Sequence, residues 1–514
     1  MKLRSTALIL AAMIAYASMP GCGKAEEAEP LQPHQIDGTV DVSFFTERPE
    51  TKPAETLPPD PRYDTKITDS DGIVLADLDN GRWKFSETGD SLGYVLDELT
   101  ERAVVGPGLT YGLTISSELS QDITDSMESF TLNGHTGVEG AAIVSDINGK
   151  ILGMGNITAD DEEDEPASEG ENAEDKDETK KKHKSYVTAP VLVGSTAKIL
   201  VSGAMIASGA ETYYEDEGKL AIFDHIFTNW DCGEGGYGDL VARELFGYFN
   251  GTNWSFGAFA FSANTYFVNA LITMGYDTFS DIYNRYFGFN SDGDPMKGYI
   301  LRTDWKSVPM PHLYQLKITD TDDEETIGKK NKMTGYFAIG MANNEGIDER
   351  VSPLYMNAVT AAVASGQMHR PYINSVSEPQ PVEGTEPLTD EMKQGLRDLM
   401  YEDAVYSNCT SEDYTFCIKT GSASTGYYET DENGDLIYDE YGNEIYVPVE
   451  NLNITGFIEK DGEPIRVITL YVYNGADFSN TYVDENGYEQ NEIYASWFVP
   501  LYKEIAALAA ETEG

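Results

Sequence analysis

Positive charge is scarce in this chain: 35 Lys and Arg stand against 88 Asp and Glu, for a formal net charge of -53. Phosphate backbones are held by clusters of Lys and Arg, so nucleic acid is excluded as a partner. The basic cluster KKKHK, Lys180 to Lys184, follows an acidic run and reads as a solvated charge block. Histidine is sparse too, with six residues at 34, 135, 183, 225, 312 and 369. None pairs with another histidine or a cysteine at ligand spacing, so no metal site is read. Asp431, Asn433 and Asp435 lack the remaining ligands and terminal glutamate of a calcium loop, and no cofactor is called for. Cysteine is limited to Cys22, Cys232, Cys409 and Cys417. Cys409 and Cys417 are near enough in sequence to bridge, but spacing alone leaves their pairing open.

What is present reads as a globular, exported chain. Its 514 residues suffice for two or three domains with a sizeable core. MKLRSTALILAAMIAYASMPGCGK combines basic Lys2 and Arg4, an apolar stretch from Thr6 to Met19, and small residues beyond it, the three parts of an export signal. Gly21-Cys22-Gly23 resembles the lipobox of bacterial lipoproteins, although Met19 and Pro20 depart from its usual residues. Two readings of residues 1–22 stay open: a signal ending at a lipidated Cys22, or an uncleaved signal anchor. Either places the protein at the extracytoplasmic face of a bacterial cell membrane. Residues 23–62, rich in Pro, Glu and Thr, read as a disordered tether.

Residues 63–135 read as a small non-catalytic region, with two short strands in KITDSDGIVLA and a helical pattern after Glu118. A second domain spans 136–514. GAAIVSDINGKILGMGN predicts a hairpin with a type I′ turn at Asn148-Gly149. An acidic insertion at 159–184 has almost no apolar residue and cannot bury itself. Helical stretches are expected from Ser195 to about Gly288, and VSPLYMNAVTAAVASG predicts a helix with Ser352 as N-cap, Pro353 in the first turn and Gly366 past the end. Strands follow at Tyr414–Thr420, Asn453–Glu459 and Pro464–Asn474, with a Tyr- and acid-rich β insertion at 426–450. A closing helix places Trp497, Leu501, Ile505 and Leu508 on one face. The pattern predicts an α+β domain: an antiparallel sheet built from both ends of the domain sequence, covered by helices, with a largely helical middle.

Three short motifs carry the chemistry. Ser195 and Lys198 form S-x-x-K in VLVGSTAKIL, Ser262 and Asn264 form S-x-N in FSANTYF, and Lys419-Thr420-Gly421 ends an apolar strand in FCIKTGSAST. A serine hydroxyl needs a base within hydrogen-bond reach, and residues i and i+3 at a helix start share a face. The positive end of the helix dipole and burial both disfavour a protonated amine, which favours Lys198 as a neutral base. The order of the motifs, 67 residues from Ser195 to Ser262 and 157 more to Lys419, is that of serine acyltransferases that react with penicillin.

From about Thr110 onward the chain resembles the transpeptidase domain of class B penicillin-binding proteins, and their small members in particular. FSANTYFVNALITMGYDTF, FAIGMANNEGIDERVSPLYMNAVTAAVASGQMHRPYI and GLTISSELSQDI extend the likeness beyond the motifs. The family's Pro-Gly-Ser before the nucleophile is here Val193-Gly194-Ser195, and the usual Arg-Gly of the N-terminal turn is missing. The resemblance implies a peptidoglycan D,D-transpeptidase: Ser195 attacks a stem peptide ending in D-Ala-D-Ala, and an amine from a neighbouring stem completes the cross-link. It makes Ser262 a proton relay, has Asn264 hold Lys198 and the substrate's peptide carbonyl, and sets Lys419 beside Ser262 and the substrate carboxylate. Thr420 and Ser422 offer hydroxyls to that carboxylate, the Ser422 N–H joins that of Ser195 in an oxyanion hole, and Gly421 lets substrate lie along the strand edge. The implied partners are stem peptides, β-lactams, the membrane through the N-terminal anchor, and a separate glycan polymerase. A D,D-carboxypeptidase, a β-lactamase of the same fold, and a non-catalytic β-lactam or peptidoglycan sensor are the alternatives.

Overall fold

The structure, a computed structural model, describes residues 64–103, 105–158, 185–210, 213–229, 236–242, 257–288, 298–299, 307–308, 316–341, 350–428, 446–483 and 489–512. The expected signal with Cys22, the tether at 23–62, the acidic insertion at 159–184 and Cys232 lie outside the described residues. Among the described residues no helix is long and apolar enough to cross a membrane.

The first strands are β1 (Lys66–Thr68), β2 (Val74–Asp79) and β3 (Arg82–Phe85); α1 (Gly93–Arg102) and β4 (Thr110–Gly112) follow, and the strands order as β3-β2-β1-β4. The Asp-Ser-Asp-Gly turn is closed by buried Asp69, whose carboxylate accepts from the backbone N–H of Asp71 and Ile73 and from the Ser117 hydroxyl. Ser117 starts α2 (Ser117–Ser129), N-capped by the Ser116 side chain. Asp69 thereby ties the first strands to the helix that packs on the main sheet. Ile67, Leu75 and Leu92 belong to the same buried cluster as Leu200, Phe267 and Leu399.

The hairpin of β5 (Gly140–Ser145) and β6 (Ile151–Ile157) is present, but its turn is not type I′. That turn needs positive φ at both central residues, and only Gly149, at φ 88°, has it. Asp146 organises a longer loop by accepting from the N–H groups of Asn148 and Lys150, both at 2.8 Å. Glycine is required at 149 on a second count, because a Cβ there would stand 2.8 Å from the Arg370 carbonyl oxygen.

Among the described residues the middle is largely helical, as expected, with short strands between its helices. A 3-10 turn, Gly194–Ala197, leads into α3 (Lys198–Ser208), which stops at left-handed Gly209. Four short strands follow: β7 (Tyr214–Asp216), β8 (Lys219–Ile222), β9 (His225–Thr228) and β10 (Gly238–Leu240), paired as β8-β9 and β10-β7. Burial alternates with period two along β8 and β9, the signature of strands lying on a surface rather than of a helix. Helices then resume as α4 (Asn264–Met274), α5 (Tyr276–Tyr286) and α6 (Glu324–Ala338). α7 (Pro353–Ser365) has the expected caps: Ser352 accepts from the Tyr355 N–H at 3.1 Å, and Gly366 is left-handed. It is apolar on nearly every side and is buried nearly all round. α8 (Asp390–Tyr406), capped by Thr389, completes the set.

Three long strands follow, β11 (Thr415–Tyr428), β12 (Tyr446–Lys460) and β13 (Glu463–Val472), ahead of the closing helix α9 (Val499–Glu511). They form one antiparallel sheet with the early hairpin, in the order β11-β12-β13-β5-β6, so the sheet is drawn from both ends of the domain. Alternate residues face opposite layers. Ala141, Ile143, Met154, Cys417 and Phe457 pack with residues of α3, α7 and α8, while Ala142, Val144, Ile418 and Ile454 pack with α2 and α9. Cys417 and Cys409 fall in different clusters, and both thiols are free, which settles the pairing that spacing left open. Burial pushes the Cys409 thiol up to about 12. The 426–450 segment continues the β11-β12 ladder through Tyr428 opposite Tyr446; residues 429–445 lie outside the described residues. In the last helix the buried stripe is Val499, Leu501, Tyr502, Ile505, Ala506 and Ala509, with Trp497 in the preceding 3-10 turn and Leu508 at the margin.

Candidate active site

Three elements meet around one amine. Ser195 sits in the 3-10 turn, where residues i and i+3 eclipse, and Lys198 is the first residue of α3. The Lys198 side chain is fully buried. Its Nζ lies 2.8 Å from Ser195 Oγ, 2.7 Å from the Ser262 carbonyl oxygen, 3.1 Å from Ser262 Oγ and 2.8 Å from Asn264 Oδ1. Asn264 donates its own Nδ2 to the Thr228 carbonyl at 3.1 Å, which fixes the amide so that its oxygen faces Lys198. A neutral amine has two N–H groups and one lone pair. Two N–H groups match the two carbonyl-type oxygens, and the lone pair is left for a serine proton.

Charge agrees with that count. Burial, and then the nearby Lys419 ammonium, hold the Lys198 pKa well below its ordinary value, while Asp403 acts in the opposite sense. The Phe267 ring, 5.5 Å from Nζ, closes the amine off with an aromatic face. Ser262 is held with φ 55°, a left-handed conformation rare for a residue with a side chain, and this turn brings both its carbonyl and its hydroxyl to Lys198.

The second wall is β11, the edge strand of the sheet. Fully buried Lys419 donates to Asp403 Oδ2 at 2.5 Å and to the Thr420 carbonyl at 2.9 Å, with the Phe259 ring 5.2 Å away. A Cβ at Gly421 would stand 2.8 Å from Thr196 N and 2.9 Å from Ser195 N. Gly421 therefore admits the turn that carries Ser195, a tighter constraint than the room for substrate that the sequence suggested. The Ser422 backbone abuts the same turn: a Cβ at Gly194 would lie 3.0 Å from Ser422 N.

Sequence reading missed the supports of this site. Asp216, buried on β7, accepts from Thr265 Oγ1 at 2.6 Å and from Asn229 Nδ2 at 2.8 Å, and Asn229 accepts from the Thr265 N–H at 3.1 Å. This network clamps the first turn of α4 next to Asn264. Buried Asp403 was missed as well, although a signal existed: it continues the apolar stripe of Met392, Leu396, Leu399 and Met400 along α8, where a carboxylate needs a partner.

The profile of the penicillin binding protein transpeptidase domain matches residues 139–478, about two-thirds of the chain. The chain belongs to the penicillin-binding transpeptidases. Among solved structures it is similar to the D,D-transpeptidase domain of a peptidoglycan glycosyltransferase from Eggerthella lenta, with TM-score 0.58 and 17% identity over 88% of this chain and 99% of that one. It is also similar to PBPA from Mycobacterium tuberculosis, with TM-score 0.54 and 17% identity over 88% of this chain and 100% of that one. Penicillin-binding protein 3 from the same organism, complexed with aztreonam, gives TM-score 0.54 and 16% identity over 87% of this chain and 95% of that one. No curated protein matches. The α+β transpeptidase fold is shared with these structures.

Proposed function

We propose that this penicillin-binding transpeptidase is a serine D,D-transpeptidase that cross-links peptidoglycan stem peptides through an acyl-enzyme on Ser195. The observation that carries the reading is the buried Lys198 amine, 2.8 Å from Ser195 Oγ, with both of its N–H groups matched by fixed carbonyl-type oxygens. Lys198 takes the Ser195 proton as Oγ attacks the penultimate carbonyl of a stem ending in D-Ala-D-Ala. The tetrahedral oxyanion forms between the N–H groups of Ser195 and Ser422, each such donor supplying about 10²- to 10³-fold in rate. Ser262 passes the proton to the departing D-alanine nitrogen, the C–N bond breaks, and an amine from a second stem then takes the acyl group. Asn264 orients Lys198 and the substrate's peptide carbonyl. Lys419, Thr420 and Ser422 face the substrate carboxylate, and the edge of β11 receives the extended donor peptide as an added strand.

In this reading, residues 1–22 tether the protein to the extracytoplasmic membrane face, through lipidated Cys22 or an uncleaved signal anchor, and a separate protein polymerises the glycan. Treating the full-length protein with a donor stem peptide and an acceptor amine tests the chemistry. Released D-alanine together with cross-linked peptide supports transpeptidation. Release of D-alanine with only hydrolysed donor assigns a D,D-carboxypeptidase instead, and a penicillin adduct that turns over rapidly assigns a β-lactamase. Absence of both D-alanine release and a Ser195 adduct leaves the fold as a binding module.

A further inference from the structure

The Asp403 carboxylate is engaged by two of the groups that the acyl-transfer reading assigns to the substrate carboxylate. Oδ2 accepts from Lys419 Nζ at 2.5 Å and from the Thr420 N–H at 3.2 Å, and the Thr420 hydroxyl lies 3.3 Å from Oδ1 and 3.4 Å from Oδ2. Ser407 Oγ donates to Oδ1 at 2.8 Å. Both members of the ion pair have fully buried side chains, so water does not screen it. With Lys198 neutral, the Lys419 and Asp403 charges cancel, and an arriving carboxylate meets a Lys419 ammonium that is already compensated.

We propose that Asp403 is a specificity-determining residue that acts as an internal counter-carboxylate: by occupying Lys419 and Thr420 it weakens the site's selection for donors bearing a free carboxylate. The inference rests on the acyl-transfer reading of the site. A carboxylate on the ligand and one on Asp403 compete for the same ammonium and hydroxyl, and the buried setting makes that competition stronger than it would be in water. Removing the Asp403 charge releases Lys419 toward the ligand. Penicillins with a free carboxylate then gain on the order of tenfold or more over their neutral esters.

The test compares second-order acylation rate constants of the full-length protein for benzylpenicillin and for its methyl ester, in the parent and in Asp403→Asn. Any change in the basicity of Lys198 acts on both ligands alike and cancels in the ratio. The expected result is a carboxylate-to-ester ratio at least about tenfold higher in Asp403→Asn, together with a lower melting temperature, because a buried ammonium has lost its counter-ion. An unchanged or reduced ratio overturns the proposal; loss of rate on both ligands in parallel is such a result and marks Asp403 as a structural support. If Asp403→Asn fails to fold, Asp403→Ser and the parent's own ratio decide. A parent preferring the carboxylate by more than about a hundredfold contradicts an offset cation, since full use of a buried charge gives that order of preference. A parent acylated by neither ligand overturns the acyl-transfer reading and the proposal with it, whereas an acylated parent with no shift in ratio overturns the proposal alone.

Discussion

Replacing Lys198 by methionine separates its chemical role from its packing role. Methionine keeps an unbranched apolar stem in a fully buried slot but removes the amine that lies 2.8 Å from Ser195 Oγ. Two effects on stability oppose each other. The Ser262 carbonyl and Asn264 Oδ1 lose their donor, which costs roughly 1–3 kcal/mol for each oxygen left unsatisfied. Against this, the parent must bury an amine whose folded pKa lies well below the ordinary 10.5. The unfolded chain binds that proton more readily, so the stability cost is complete below the folded pKa and fades as pH rises toward 10.5. The variant lacks that cost, which offsets the lost hydrogen bonds at neutral pH, and it loses the parent's rise in stability between the folded pKa and 10.5. Acylation behaves differently, because loss of a general base costs about 10²- to 10⁴-fold. Stopped-flow acylation by a reporter penicillin, with thermal melts across the pH range, measures both. A Lys198→Met variant acylated at more than about a tenth of the parental rate, the least a general base contributes being about 10²-fold, refutes the assignment of Lys198 as base.

Three further outcomes follow from the geometry. Gly421→Ala places a Cβ 2.8 to 2.9 Å from backbone atoms of Val193, Ser195 and Thr196, so thermal melts are expected to show a loss of about 1–3 kcal/mol, with slower acylation because the turn that carries Ser195 is displaced. Ser262→Gly accommodates φ 55° without a side chain whereas Ser262→Ala does not, so the glycine variant should be the more stable of the two by about 1 kcal/mol, with acylation slowed in both. Ser352→Ala removes the N-cap of α7 and should lower stability by about 1 kcal/mol in denaturant unfolding, with acylation kinetics of the folded protein unchanged.

Much of this architecture was legible because it is local. The caps of α7 are written in Ser352, Pro353 and Gly366, and the strands of the main sheet in short β-rich runs. Lys198 and the three residues that meet its amine, Ser195, Ser262 and Asn264, were legible as types, since serine, lysine and asparagine in those motifs suit one chemistry. What the sequence hid depends on tertiary contact. Asn148-Gly149 signals a two-residue turn, yet Asp146 draws the loop wider by accepting two N–H groups. The described residues between α3 and α4 form small strand pairs, and along Lys219–Ile222 and His225–Thr228 the residues need cover on one side only, at period two. Asp403 lies 16 residues from Lys419, and only the packing of α8 against β11 brings them together. Cys409 and Cys417 are close in the chain but separated by the sheet that passes between the two buried clusters.

The account turns on Ser195 as the acylated residue. Incubating the full-length protein with a fluorescent penicillin, digesting it and mapping the adduct by mass spectrometry tests this directly. The account predicts a single adduct on the peptide containing Ser195, lasting minutes to hours and abolished in Ser195→Ala. An adduct on another residue, or equal labelling of Ser195→Ala, would contradict it.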